Sequence, residues 1–190
     1  HNPEFTLLEW YCVGSNYDTM VADTEALVLV IARELGYDNS LQYQGKTIDL
    51  TAPWQRISVR ELYLQLAGWD PVKNIDPRRF DEDMVTKVIP HLNPHRPTIM
   101  LDYPAPMASL ARLKREETAV AERAEVFIGG LELANAYSEL TNLKEQAERF
   151  RQEIEQIRQE QGRVMPLPHK FLKAMESLPE CGGIALGIDR

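Results

Sequence analysis

The 190-residue sequence lacks a basic excess: 21 Lys and Arg stand against 29 Asp and Glu, a formal net charge of −8 at pH 7. That balance argues against an extended nucleic-acid surface on this chain, which would need cations to neutralise phosphates. An acidic chain instead suits a cationic ligand. Cysteine is scarce. Cys12 and Cys181 lie far apart without metal-ligand spacing, which predicts reduced thiols in a cytoplasmic protein, not a disulfide or zinc framework. No apolar run approaches the roughly 18 residues of a membrane span, and no secretory signal pattern is present, so no membrane partner is expected. Neither the P-loop string GxxxxGK(S/T) nor GxGxxG occurs, so a nucleotide would have to bind on some other framework. Internal repeats and low-complexity segments are absent too. No Ser-His-Asp or Cys-His arrangement stands out, and His91, His95 and His169 read as loop or cap residues.

What is present reads as one globular domain. The hydrophobic fraction is 44% and the charged fraction 26%, ordinary values for a folded chain. Met20, Val21, Leu27, Val28, Ile31 and Leu35 recur at helical spacing, with Gly36 where a left-handed cap falls. Short strands are predicted around 42–44, 48–50 and 54–57. Ser58 to Glu61 forms a capping box for a helix reaching about Ala67. Asp76-Pro77 starts another helix, ending near Ile89 because Pro90 follows. A strand at Thr98–Asp102 precedes two more, near 122–128 and 131–138, joined across Gly129-Gly130 as a tight hairpin. Asn142 to Gln161 reads as a charged helix with Leu143, Ala147, Phe150, Ile154 and Ile157 as its buried stripe. A helix near 169–177 and a strand at 183–187 close the chain. The fold class is α+β: an antiparallel sheet with flanking helices, with residues about 40 to 95 an insertion covering it.

Two groups of residues suggest chemistry. With a two-residue turn at 129–130, Phe127 faces Glu132, and alternation puts Glu125 on the same face. Two carboxylates so placed form either an exposed polar face or a site for a hard divalent cation such as Mg²⁺, which prefers a few carboxylates plus substrate phosphates. Glu9 and Tyr11 also share a face, with Phe5 and Leu7. A carboxylate beside a phenol suits an ammonium group, or is simply a partly exposed strand.

Three blocks carry a resemblance: His1-Asn2-Pro3-Glu4-Phe5-Thr6-Leu7-Leu8-Glu9-Trp10-Tyr11, Gly130-Leu131-Glu132-Leu133-Ala134-Asn135-Ala136-Tyr137-Ser138-Glu139-Leu140 and Gly183-Ile184-Ala185-Leu186-Gly187-Ile188-Asp189-Arg190. Together they resemble the catalytic core of class II aminoacyl-tRNA synthetases of the lysine type. The resemblance implies an ATP- and Mg²⁺-dependent ligase that makes an aminoacyl-adenylate. It assigns the metal to Glu125 and Glu132, and the amino acid to Glu9, Tyr11, Asn135, Glu139 and Ala185. ATP falls to Asn2, Phe5, Glu132, Leu133, Gly187 and Arg190, with Arg190 the catalytic arginine of the third motif. Glu139 is seven residues from Glu132, so a regular strand would turn it to the other face. A bulge near Ala134–Ala136, or the end of the strand, must re-aim it. The family usually has Gly where Ala136 stands.

Finer features resemble the shorter paralogue that modifies elongation factor P. These are Trp10, the stretch Tyr103-Pro104-Ala105-Pro106-Met107-Ala108-Ser109-Leu110-Ala111, and Pro179-Glu180-Cys181-Gly182-Gly183-Ile184-Ala185, with Ala185 where the tRNA enzymes carry Gly. That resemblance implies (R)-β-lysine or lysine as substrate, a lysine side chain of elongation factor P as acceptor, and a homodimer. A lysyl-tRNA synthetase core with tRNA as acceptor, or a non-catalytic binding module, are the alternatives. In the register of the family motifs the chain begins inside the second and stops on the arginine of the third. An upstream arginine and a strand pairing with residues 5–11 are therefore expected before His1.

Overall fold

A computed structural model describes residues 4–108 and 110–190. Six strands form one sheet in the order β1 (Leu7–Val13), β8 (Cys181–Gly187), β7 (Leu131–Ser138), β6 (Val120–Ile128), β5 (Thr98–Pro104) and β4 (Gln55–Ser58). Neighbours from β1 to β5 are antiparallel. The edge strand β4 adds in parallel to β5, which requires a crossover between them. That crossover is helical, with α2 (Val59–Leu66) and α3 (Pro77–Asp83). A separate hairpin joins β2 (Ser40–Tyr43) to β3 (Lys46–Asp49).

Each face of the sheet has its own cover. On the back face α1 (Tyr17–Glu34) lays Tyr17, Met20 and Val21 against Ala124, Val126, Ala134, Ala136, Ile184 and Leu186. On the front face α2 and α3 bring Tyr63 and Phe80 onto Met100, Tyr103 and Phe127 at the β5–β6 end. Among the described residues, the β1–β8–β7 end of the front face has no such helical cover. That asymmetry positions the site.

Local signals set most boundaries. Ser58 Oγ accepts from Glu61 N–H at 3.1 Å while Glu61 accepts from Ser58 N–H at 3.0 Å, the reciprocal pair of a capping box. Asp76 caps α3 through Arg79 N–H, and Gly36 takes φ +80° just past α1. Beyond α3 the chain does not stop before Pro90. It rewinds into a π turn (Met84–Val88) and a 3₁₀ turn (Ile89–His91). Pro90 falls at the start of that last turn, where its missing N–H is not needed. β5 likewise outruns its expected end at Asp102. Asp102 adopts φ +65° at a bulge, and its carboxylate accepts from Tyr17 O–H at 2.8 Å and Lys114 Nζ at 2.7 Å, which compensates for the strained backbone.

The expected buried stripe of α4 (Leu143–Gln161) is corrected. Its five apolar residues are only half-buried, and Gln146 is its buried residue. The helix leans on α5 (His169–Met175), with Phe150 and Phe171 meeting edge to face at 5.7 Å. An apolar stripe predicts that a face is covered but not by how much. Among the described residues no helix is long and apolar enough to cross a membrane, and Cys12 and Cys181 are both free thiols.

The front cluster makes one stability prediction. Tyr63 stacks on Phe80 with centroids 4.7 Å apart, and its O–H donates to the Phe80 carbonyl at 2.7 Å. Tyr63→Phe keeps the stacking but removes one of the two donors to that carbonyl, leaving the Met84 N–H. Urea unfolding should show a loss of about 0.5–1.5 kcal/mol, with the denaturant slope unchanged.

Candidate active site

Cross-strand register lays the front face out as rows. One row runs Met100, Glu125, Asn135, Ala185, Glu9 across five strands. The next runs Arg123, Tyr137, Gly183, Tyr11. Because side chains alternate, both rows project from the same face. Beyond the first row, Phe127 pairs with Glu132, and Leu7 with Gly187.

A bulge makes this grid possible, one residue earlier than expected. Val126 pairs with Ala134 but Phe127 pairs with Glu132, so Leu133 is the extra residue of β7. It lets Glu132 share the front face with Asn135, Tyr137 and Glu139 despite its odd separation from each. Ala134, Ala136 and Ser138 turn inward beneath α1, all at most 2% exposed. Both alanines are small enough to admit that helix.

At one end lies a cleft of about 360 Å³. Phe5, Glu132, Leu133, Asn135, Ala185, Gly187 and Arg190 line it, so it gathers every expected ATP-side residue except Asn2, which lies outside the described residues. The Phe5 ring is 67% exposed and open to a stacking partner. Arg190 Nη1 donates to the Glu132 carbonyl and sits 3.3 Å from its carboxylate. The turn carrying Arg190 is tied to the start of β1: Thr6 N–H donates to Asp189 at 2.8 Å, and Ile188 N–H to the Thr6 carbonyl at 3.0 Å.

At the other end, Glu139 and Tyr11 meet over the backbone of β8. A Cβ on Gly183 would lie 2.2 Å from Glu139 Oε1 and 2.6 Å from the Tyr11 ring, so only glycine permits this approach. Burial, and secondarily the Glu9 carboxylate, push the Glu139 carboxyl up to about 7. Burial, then Glu139 and Glu9, also raise the Tyr11 phenol. A pocket that penalises its own negative charge in this way favours an incoming cation.

Glu125 is buried and already engaged, because Arg123 Nη2 donates to its Oε1 at 2.6 Å. Burial raises the Glu125 carboxyl; Arg123 opposes that shift and Glu132 adds to it. Among the described residues no group of three or more His, Cys, Asp or Glu gathers to hold a metal. The Glu125–Glu132 pair offers a cation two carboxylates at most, a hard oxygen set that fits Mg²⁺ sharing its remaining positions with phosphate and water.

Arg123 has no place in the motif register. It stands at the head of the second row, with its guanidinium 4.4 Å from the Tyr103 ring and 5.7 Å from that of Tyr137. The available signal was its i, i+2 spacing from Glu125, which puts a cation and an anion on one face of a strand.

Residues 1–190 match the family of class II tRNA synthetases (D, K and N). Curated relatives include lysine–tRNA ligases from a Nostoc species, 31% identical over 217 residues and covering all of this chain and 38% of the relative. One from Prochlorococcus marinus is 35% identical over 215 residues, covering all of this chain and 42% of the relative. One from Moorella thermoacetica is 34% identical over 213 residues, covering all of this chain and 43% of the relative. The chain spans about two-fifths of the length of these relatives. Matched from its first residue to its last, and with the expected sheet bearing most of its motif residues on one face, the chain belongs to the class II tRNA synthetases of the D, K and N group.

Proposed function

We propose that the protein carrying this chain activates (R)-β-lysine or lysine as an aminoacyl-adenylate, using ATP and Mg²⁺, and transfers the acyl group to a lysine side chain of elongation factor P. One observation carries the activation step: Asn135 and Ala185 line the Arg190–Glu132 cleft and share a cross-strand row with Glu9, beside the acidic end that holds Tyr11 and Glu139. A nucleotide phosphate and a ligand ammonium would then lie on either side of the reacting carboxylate.

In this reading Phe5 stacks on adenine, and Asn2, Leu133 and Gly187 border the nucleotide. Arg190 supplies a planar, permanently charged group to its phosphates. Glu125 and Glu132 hold the metal, whose charge offsets that of the phosphates. Glu9, Tyr11 and Glu139 receive the amine. Catalysis is mostly positioning and charge neutralisation, without a covalent enzyme intermediate. The chain is one partial catalytic domain, with residues about 40 to 95 an insertion covering the sheet, and the whole protein works as a homodimer.

Ala185 supports elongation factor P as the acceptor branch. Its methyl group sits between Asn135 and Glu9 in the amino-acid row, where the tRNA enzymes of the family carry Gly. A methyl group is worth about 1–3 kcal/mol of discrimination, enough to shift preference between α- and β-lysine. The lysine–tRNA ligase relatives favour a second reading, with tRNA as acceptor. Full-length protein given labelled lysine or β-lysine, with elongation factor P and tRNA offered separately, tests the two. Label is expected on elongation factor P, faster with β-lysine. Label on tRNA alone would replace the first reading by the second.

A further inference from the structure

Arg123 is a largely buried cation with three separate hydrogen-bond obligations. Nη2 donates to Glu125 Oε1 at 2.6 Å, Nε to Asn135 Oδ1 at 3.3 Å, and Nη1 to the Met107 carbonyl. Its plane is pinned between Tyr103 and Tyr137, and its side chain is 18% exposed. A planar fork held at three points has little rotational freedom. The same fork dictates how Asn135 is turned. A guanidinium has donors only, so the amide oxygen must face it. The other end of that amide, Nδ2, makes no hydrogen bond with the described residues, and Asn135 lines the 360 Å³ cleft.

We propose that Arg123 is a positioning residue for substrate recognition: it locks the Asn135 amide so that its N–H₂ faces the ligand, and fixes the Glu125 carboxylate beside it. Asn135 therefore reads an oxygen acceptor of the substrate, such as its carboxylate, and cannot accept from its ammonium. The amine is left to Glu9, Tyr11 and Glu139. This rests on the amino-acid-activating reading above and adds to it the polarity in which the substrate lies. Lysine would discard this arrangement while keeping the charge, because it has neither Nε–H nor a fork.

Calorimetry of lysine binding to the full-length protein, without ATP or Mg²⁺, reads this contact without turnover. Asn135→Asp is isosteric, strengthens the contact to Arg123 and replaces the outward donor by an acceptor. It should leave the melting temperature unchanged or raised, and weaken lysine by roughly 10- to 100-fold, as expected for a lost bond to a charged group. Arg123→Lys should weaken lysine to a similar degree while ATP affinity changes by less than about twofold, and adding Asn135→Ala to it should cost little more, because the two residues act as one unit. Lysine affinity retained in Asn135→Asp, additive losses in the double variant, or equal weakening of both ligands would overturn the proposal. Absence of lysine binding by the unmodified protein would overturn this proposal and the activation reading together. The expected binding pattern with no pyrophosphate exchange would count against the ligase reading alone and leave this one standing.

Discussion

Glu132→Ala in the full-length protein is expected to abolish lysine-dependent pyrophosphate exchange, a fall of at least about 10²–10³-fold, the usual loss when one group that stabilises developing charge is removed. The size follows from two roles meeting in one residue. Its carboxylate is the more accessible of the two proposed to hold the metal, and it lies 3.3 Å from Arg190. Alanine at this position removes the carboxylate proposed to hold the metal and one of the two contacts of the arginine together. The backbone carbonyl that Arg190 also contacts survives the substitution, so the guanidinium is not simply released and the chain should fold as before. Raising Mg²⁺ should not restore the rate. Near-normal exchange in the variant would remove Glu132 from the metal site.

Glu139 sets the second large effect, and its direction depends on pH. An ionised carboxylate is required to receive an ammonium, yet burial and Glu9 hold this carboxyl near 7, well above its usual value of 4.5. Below about pH 7 the free protein keeps Glu139 neutral, so lysine must bind with loss of a proton. Affinity should therefore rise with pH through about 7 and then level off. Glu139→Gln should remove that dependence and raise the KM for lysine by roughly 10²-fold or more, leaving the KM for ATP much less affected, since removing a buried group's charged partner costs several kcal/mol.

The linked effect on stability has the opposite sign. Because the folded-state pKa is raised, the unfolded chain ionises first, and the native state is penalised progressively from about pH 4.5 to 7. At pH 8 the glutamine variant should therefore melt higher than the parent, while binding lysine worse. A flat pH profile for lysine binding in the parent protein would show that Glu139 does not receive the amine.

How much of this was legible depended on the range of the signal. Ser58–Glu61, Asp76-Pro77, Gly36 and Gly129-Gly130 are local devices, each complete within a few residues, and each produced the expected boundary. The bulge was legible as a necessity, from the odd spacing of Glu132 and Glu139, but not in position. Which residue is left over depends on how β6 and α1 hold the flanking residues. Arg123 was legible only as a charge near Glu125. Its contacts come from Met107, Asn135 and Tyr103, and no spacing along one strand foretells them. The strand expected at 54–57 formed as β4, but its parallel pairing at the sheet edge was not legible, because pairing direction is a property of the connection, not of four residues. The functional roles themselves came from family resemblance. Spacing alone left both the Glu125–Glu132 pair and the Glu9–Tyr11 pair open to a bland reading.

Leu133 also divides β7 into two reading frames for substitution. From Ala134 onward the even-numbered positions lie under α1 and the odd-numbered ones face the site; before it, Glu132 breaks that rule. Deleting Leu133 would return the hairpin to unbroken alternation. Glu132 would then directly precede Ala134 and keep its place opposite Phe127 on the front face; it is pairing Leu133 in regular register that would carry Glu132 to the apolar side. The Glu132 end and the Glu139 end of the strand thus share a face only because the residue between them stays out of the ladder, so the hairpin should accept the loss of that residue more readily than its pairing.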